Sequence, residues 1–259
     1  MFPAHVDAWR ELAASEARGI PVDLVLAFVL RESNGKAGRI GYTDTGSRYT
    51  EAERACGFPA QLAARALGLM QAAPSVLRTY NQTAKDKITP CELAGASLEA
   101  ARRQLRIGCW LLRQCLEATR ELDPIAHPWP GGELSDSQIV LARLMYHKGR
   151  EGLRRQLERA AARGFPRTAA GLERYDPAWG APDHPFDGAR GVLAAYRGAR
   201  GPGGGPGSPA GPGVPGRPGS GPGGPASPAR ISAGFGLAGL ALLFGLWWWW
   251  RSRSREAEA

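Results

Sequence analysis

The stretch with the clearest chemical potential is residues 22–35, VDLVLAFVLRESNG, an apolar run that ends in a carboxylate. Only Asp23 is polar between positions 22 and 30, so a helix here is apolar almost all round and belongs in the centre of a domain. Val25, Phe28, Val29 and Glu32 fall at i, i+3, i+4 and i+7 and share one face. A carboxyl group held against apolar walls loses hydration of its charged form. Its pKa then rises, and it can stay protonated near neutral pH as a general acid. The plainer reading of Glu32 is a solvated glutamate at a helix end. A second stretch, ALGLMQAAPS at 66–75, has the parts of a binding turn. Gly68 permits close backbone approach, Leu69 and Met70 offer apolar contact, Gln71 carries a donor and an acceptor, and Pro74 can open a helix.

Elements must position these residues, and the punctuation along the chain is helical. A first helix is expected near 6–17, stopped by Gly19, with Pro21 starting the next. Further on, LRIGCWLLRQCLEATREL at 105–122 puts Leu105, Gly108, Cys109, Leu112, Cys115, Leu116 and Thr119 on one face, the pattern of a core helix. SDSQIVLARLMYHKG at 135–149 starts with Ser135 or Asp136 as a cap, stops at Gly149 and carries Tyr146 in its last turn. No strand-like alternation of useful length occurs, so residues 1–197 are expected to form a mainly α domain.

The rest of the chain has a different composition. Of 259 residues, 35 are Gly and 21 are Pro, concentrated at 198–229 in a segment without apolar periodicity, which reads as a disordered linker. Residues 231–250, ISAGFGLAGLALLFGLWWWW, hold no charge and would span about 30 Å as a helix, enough for a hydrocarbon core. Four tryptophans at one end suit an interfacial belt, and the short charged tail at 251–259 follows. Its arginines favour the cytoplasmic side and would put the N-terminal domain outside, yet residues 1–10 lack the regions of a signal peptide. The net charge of +9 fits an anionic polymer or membrane surface, and no nucleic-acid-binding motif is evident. The four cysteines lack zinc spacing and the four histidines are scattered, so no metal site and no cofactor are expected. Cys109 and Cys115 read as buried thiols. A bridge between Cys56 and Cys91 is allowed but not required.

The order of pieces, RES, GLMQ, RIGCWLLRQ, MYHKG and GARGVLAAYR, resembles the transglycosylase SLT domain family of lysozyme-like peptidoglycan enzymes. The likeness runs over roughly 9–197 and is weakest at 34–66 and 150–187. It implies a lysozyme-like helical domain with Glu32 as the sole catalytic acid and base. It also implies Ser33, Met70, Gln71 and Tyr146 as substrate-binding residues and peptidoglycan glycan strands as the partner. Such enzymes cleave the β-1,4 bond between N-acetylmuramic acid and N-acetylglucosamine. One carboxylate protonates the leaving oxygen and then takes the proton of the muramyl C6 hydroxyl, closing a 1,6-anhydro ring. Ordinary glycosidases need two carboxylates; a second from Asp44, Glu51 or Glu53 would make this chain a hydrolytic muramidase. His147 stands where the family's Ala-Tyr-Asn-x-Gly motif has asparagine, which leaves room for a non-catalytic glycan-binding protein of the same fold. The segment between Glu32 and Gly68 is longer than is usual in the family and would form a flap. The plan of domain, linker and C-terminal span is similar to membrane-anchored transglycosylases of tailless bacteriophages with an internal membrane. A bacterial envelope enzyme with a C-terminal anchor would have the same plan.

Overall fold

In the computed structural model, residues 1–43, 47–122, 133–175 and 185–201 are described. The chain divides into two compact units, Met1–Pro209 and Ala210–Ala259. Residues 202–229 of the expected linker, the 231–250 segment and the tail lie outside the described residues, as does Asp44, whereas residues 198–200, expected in the linker, continue the last helix of the domain. Among the described residues no helix is long and apolar enough to cross a membrane.

The first unit is mainly helical. Its chain begins with α1 (Ala4–Asp7) and α2 (Arg10–Ala17). The single helix expected over 6–17 is thus broken at Ala8 and Trp9, where the Trp9 indole turns to donate a 2.8 Å hydrogen bond to the Gly35 carbonyl. Pro21 then caps α3 (Val22–Ser33), in which every residue from Leu24 to Val29 is fully buried. Asn34, left-handed with φ 52°, ends it, and the amides of Asn34 and Gly35 return to the carbonyls of Leu30 and Val29.

Two short strands follow, β1 (Ile40–Thr43) and β2 (Arg65–Leu67), antiparallel, with Ile40 opposite Leu67 and an irregular register. They leave the domain mainly α, as expected. With four and three residues they are too short for alternation to show in the sequence. Pro74 opens α4 (Pro74–Thr83), and a Thr89–Glu92 capping box starts α5 (Pro90–Leu93). The 25-residue α6 (Leu98–Leu122) follows, then α7 (Asp136–Lys148), capped by Ser135, one of the two expected caps, in a capping box with Gln138. The helices α8 (Arg150–Ala162), α9 (Ala169–Tyr175) and α10 (Pro185–Arg200) complete the unit.

Apolar side chains gather into two cores. The larger joins α2, α3, α6, α7 and α10 around Phe28, Leu105, Leu112 and Leu141. The smaller contains Tyr49, Phe58, Leu67, Leu77, Tyr80, Ile88, Leu93 and Ile107. α6 feeds both, Leu105 and Cys109 to the larger and Ile107 to the smaller. Cys109 and Cys115 are buried thiols, and desolvation pushes both up to about 12.

Cys56 and Cys91 are joined in a disulfide across 35 residues, which ties the segment after β1 to α5 beside the small core. Closing a loop of that length contributes on the order of 3–4 kcal/mol by the chain-entropy argument. The Cys56→Ser/Cys91→Ser double variant is therefore expected to melt about 10 °C below the oxidised protein in a circular dichroism scan. A shift under 2–3 °C on the order expected for a surface change would show that the bridge does not hold the lobe.

Candidate active site

Glu32 occupies the last turn of α3, one turn beyond the fully buried Phe28. Its side chain is 15% exposed, and its Oε1 is buried. Desolvation raises its pKa above the ordinary glutamate value, against the opposing charges of Arg143, Arg39 and Arg31. A group in that state can carry a proton at a pH where surface glutamates have lost theirs.

Residues far apart in sequence converge on this carboxyl. Tyr146, in the last turn of α7, stacks edge-on against Phe28 with ring centroids 5.2 Å apart. Its hydroxyl donates a 2.6 Å hydrogen bond to the Met70 carbonyl. Desolvation, with Glu32 nearby, raises the Tyr146 pKa well above its ordinary value, so the phenol stays a donor. α3, the 67–72 turn and α7 are therefore joined through Phe28, Tyr146 and the Met70 carbonyl, one turn from Glu32 on α3.

The 67–72 turn is tightly specified. Leu67 and Ala72 exchange backbone hydrogen bonds at 3.0 and 2.9 Å, and the Gly68 amide donates to the Arg39 carbonyl at 2.9 Å. Gly68 has φ +79°, and a Cβ there would lie 2.2 Å from the Gln104 side chain, so only glycine fits. Gln104, fully buried in α6, accepts from the Leu69 amide at 3.0 Å. It donates to the carbonyls of Ala37, Leu93 and Gly95 at 3.0, 2.7 and 3.0 Å. Leu69 and Met70 belong to the large core, whereas Leu67 and Ala72 belong to the small one. The turn thus lies where the two cores meet.

The anticipated binding residues take different positions. Gln71 has a left-handed backbone (φ 52°), and its amide nitrogen donates to the carbonyls of Gly68 (2.7 Å) and Arg39 (3.3 Å). Gly41 leaves room for that amide, since a Cβ at position 41 would fall 1.5 Å from Gln71 Oε1. The Gln71 Oε1, the accepting end of the amide, is turned toward Gly41. Met70 is fully buried, its side chain packed where Gly108 of α6 has no Cβ, and it meets the site through its carbonyl. Ser33 is also fully buried, with its hydroxyl donating to the Val29 carbonyl at 3.0 Å. The residues that follow it, Asn34, Lys36, Gly38 and Arg39, line an open depression.

Two residues outside the anticipated set matter as much. One is Gln104, which carries the turn. The other is Arg143 of α7, whose Nη2 stands 2.7 Å from Glu32 Oε1. Each had a signal in the sequence. Gln104 is a polar residue one turn before Gly108 on the apolar face of α6, and Arg143 is the only charge between positions 139 and 145.

Of the carboxylates that could assist Glu32, Glu51 is exposed. Glu53 accepts from Arg78 Nε and Nη2, both at 3.1 Å, and from the Thr50 amide at 2.6 Å. Desolvation opposes its ionisation, yet these hydrogen bonds hold its pKa below the ordinary glutamate value. Among the described residues no group of His, Cys, Asp and Glu could hold a metal ion. No family model, curated protein or solved structure matches the chain.

Proposed function

We propose that residues 1–197 are a lysozyme-like lytic transglycosylase that cleaves the β-1,4 bond from N-acetylmuramic acid to N-acetylglucosamine in peptidoglycan. The observation that carries this reading is the setting of Glu32. A single carboxyl group with a raised pKa ends a buried helix, and Tyr146 and Met70, drawn from two other motifs, are hydrogen-bonded to each other beside it. Glu53, the partly buried carboxylate of the long segment, is engaged by Arg78 and Thr50, which favours a route needing one carboxyl. Glu32 first gives its proton to the leaving oxygen. It then takes the proton of the muramyl C6 hydroxyl as that oxygen closes on C1. Gln71 orients the glycan. In this reading residues 231–250 anchor the enzyme in a membrane, that of a virion or of a bacterial envelope, and the linker lets the domain reach the wall.

The test is product chemistry. Purified enzyme incubated with cell-wall sacculi should release muropeptides ending in 1,6-anhydro-N-acetylmuramic acid, identified by mass spectrometry. Products with only reducing ends would replace this reading with a hydrolytic muramidase using Asp44, Glu51 or Glu53. Binding to sacculi without release would replace it with a non-catalytic glycan-binding protein.

A further inference from the structure

Arg143 belongs to none of the motifs behind the proposed function, yet it is the charged side chain that touches the candidate acid. It lies in α7 three residues before Tyr146, in a run from Ile139 to Met145 that is otherwise apolar. Its side chain is only 10% exposed. Nη2 is 2.7 Å from Glu32 Oε1, and the guanidinium carbon stands 5.9 Å from the centroid of the Phe28 ring. On the α10 side, Gly188 faces the guanidinium, and a Cβ there would rest in ordinary contact 3.5 Å from Nη2. The pair is not a fitted fork. Among the described residues Arg143 Nε, buried, has no hydrogen-bond partner, and Glu32 Oε1, also buried, meets the guanidinium as a charge without hydrogen-bond geometry.

Such an arrangement is a poor way to stabilise a fold. A buried donor left unpaired costs about 1–3 kcal/mol, and a well-packed apolar side chain commonly matches or outdoes a buried ion pair. Leucine or methionine at position 143 would suit this face of α7 better. The charge is explained by what it does to Glu32.

The single-carboxyl route makes two opposed demands on that residue. Until the leaving oxygen is in place, Glu32 must hold a proton, and the apolar walls of Val25, Phe28 and Val29 favour this. Between the two proton transfers it must exist as an anion, and in a dry site an anion without a counter-charge raises the barrier. We propose that Arg143 is a positioning residue for Glu32: it fixes the carboxyl group in the site and acts as the permanent counter-charge of the carboxylate formed between the two proton transfers. The step balances. The Glu32 proton passes to the glycosidic oxygen, which leaves with the electron pair of the C1–O bond. The C6 oxygen then bonds to C1, and its proton returns to Glu32. The sequence of steps rests on the transglycosylase reading; the charge pair does not.

Other groups also face Glu32. Arg39 precedes β1, and Arg31 lies on α3 and is paired with Asp187 of α10; both lower the Glu32 pKa less than Arg143 does. Tyr146 is neutral and tied to Met70. His147 is driven down to about 4 by desolvation and by the charges of Arg143 and Lys148, so it stays uncharged at neutral pH. Arg143 is therefore the group whose removal should move the titration of Glu32. Loss of a cation raises a carboxyl pKa, and a general acid works while protonated. The pH at which kcat/KM falls on the alkaline side should then move upward.

The experiment uses the full chain with carbon-13 at the glutamate side-chain carboxyls, the Glu32 signal being assigned by its loss in Glu32→Gln. Arg143→Met is expected to raise the Glu32 midpoint by about one pH unit or more. It should raise the alkaline limb of kcat/KM by the same amount and lower kcat about 10- to 100-fold, with KM within about twofold. Arg143→Lys should return the midpoint close to that of the unaltered protein. If the methionine variant does not fold, Arg143→Gln takes its place with the same expected shifts. An unmoved midpoint, or a moved midpoint with an unmoved alkaline limb, overturns the proposal. Failure of the function itself looks different. The unaltered chain would then release no muropeptides while the Glu32 midpoint still responds to Arg143, and the positioning role would fall with the reaction.

Discussion

On the proposed transglycosylase reading, Glu32→Gln is expected to lose wall-lytic activity by on the order of 10,000-fold while still folding, pairing Tyr146 with Met70 and binding glycan. Glutamine keeps the size of the side chain while removing its capacity to give and take a proton. General acid–base catalysis by a positioned side chain contributes about 100- to 10,000-fold, and here one residue serves both transfers, which points to the upper end. The same carboxyl sets the pH dependence. Its pKa is raised by desolvation, so kcat/KM declines with rising pH through a value above the ordinary glutamate pKa of about 4.3. Turbidity clearing of sacculi, with circular dichroism to verify the fold, checks both points. A folded glutamine variant that keeps a substantial fraction of the original lysis would reduce Glu32 to the polar end of a buried helix.

The second large effect falls on stability. Gln104 is fully buried and joins the Leu69 amide to the carbonyls of Ala37, Leu93 and Gly95. Leucine has nearly the same volume and fills the space, but it leaves a buried amide and three carbonyls without that partner. At about 1–3 kcal/mol for each buried group left unpaired, with partial relaxation of the loop carbonyls, Gln104→Leu is expected to cost about 3–5 kcal/mol. Urea unfolding followed by circular dichroism reads this directly. Lysis should fall as well under conditions where the variant is still folded, because the Leu69 amide is one residue from the carbonyl that holds Tyr146. A cost below about 1 kcal/mol would show that water or a local shift replaces the amide.

These two residues were unequally legible. α3 could be read because a run of apolar residues broken only by Asp23 demands a buried helix, and its length puts Glu32 on the stripe of Phe28 and Val29. α7 could be read from its ends, a cap at Ser135 or Asp136 and the stop at Gly149, which puts Tyr146 in its last turn; the Gln138 half of the capping box shows only in the structure. Gln104 and Arg143 were passed over because a single polar residue on an apolar face is ordinarily a side chain that reaches past the core to water. Only three-dimensional packing shows that these two do not. The hairpin of β1 and β2 was invisible for lack of length. The break at Trp9 depends on a carbonyl 26 residues away, a partner that local periodicity cannot supply. Nor could spacing alone pair Cys56 with Cys91, since their approach depends on how the segment after β1 folds back toward α5.

That bridge gives the chain a history. Cysteine pairs of this kind close where the surroundings are oxidising and stay open as thiols in a reducing cytosol. Cys56 is exposed, so its sulfur is open to exchange wherever a disulfide-bearing oxidant is present. Before oxidation the small lobe rests on its core, on the Glu53–Arg78 pair and on the Gln104 hydrogen bonds to Leu93 and Gly95. After it, the segment between positions 56 and 91, which includes the turn beside Glu32, is closed into a covalent ring. The reduced and the oxidised chain are thus two materials of one sequence, the first open between positions 56 and 91 and the second closed there.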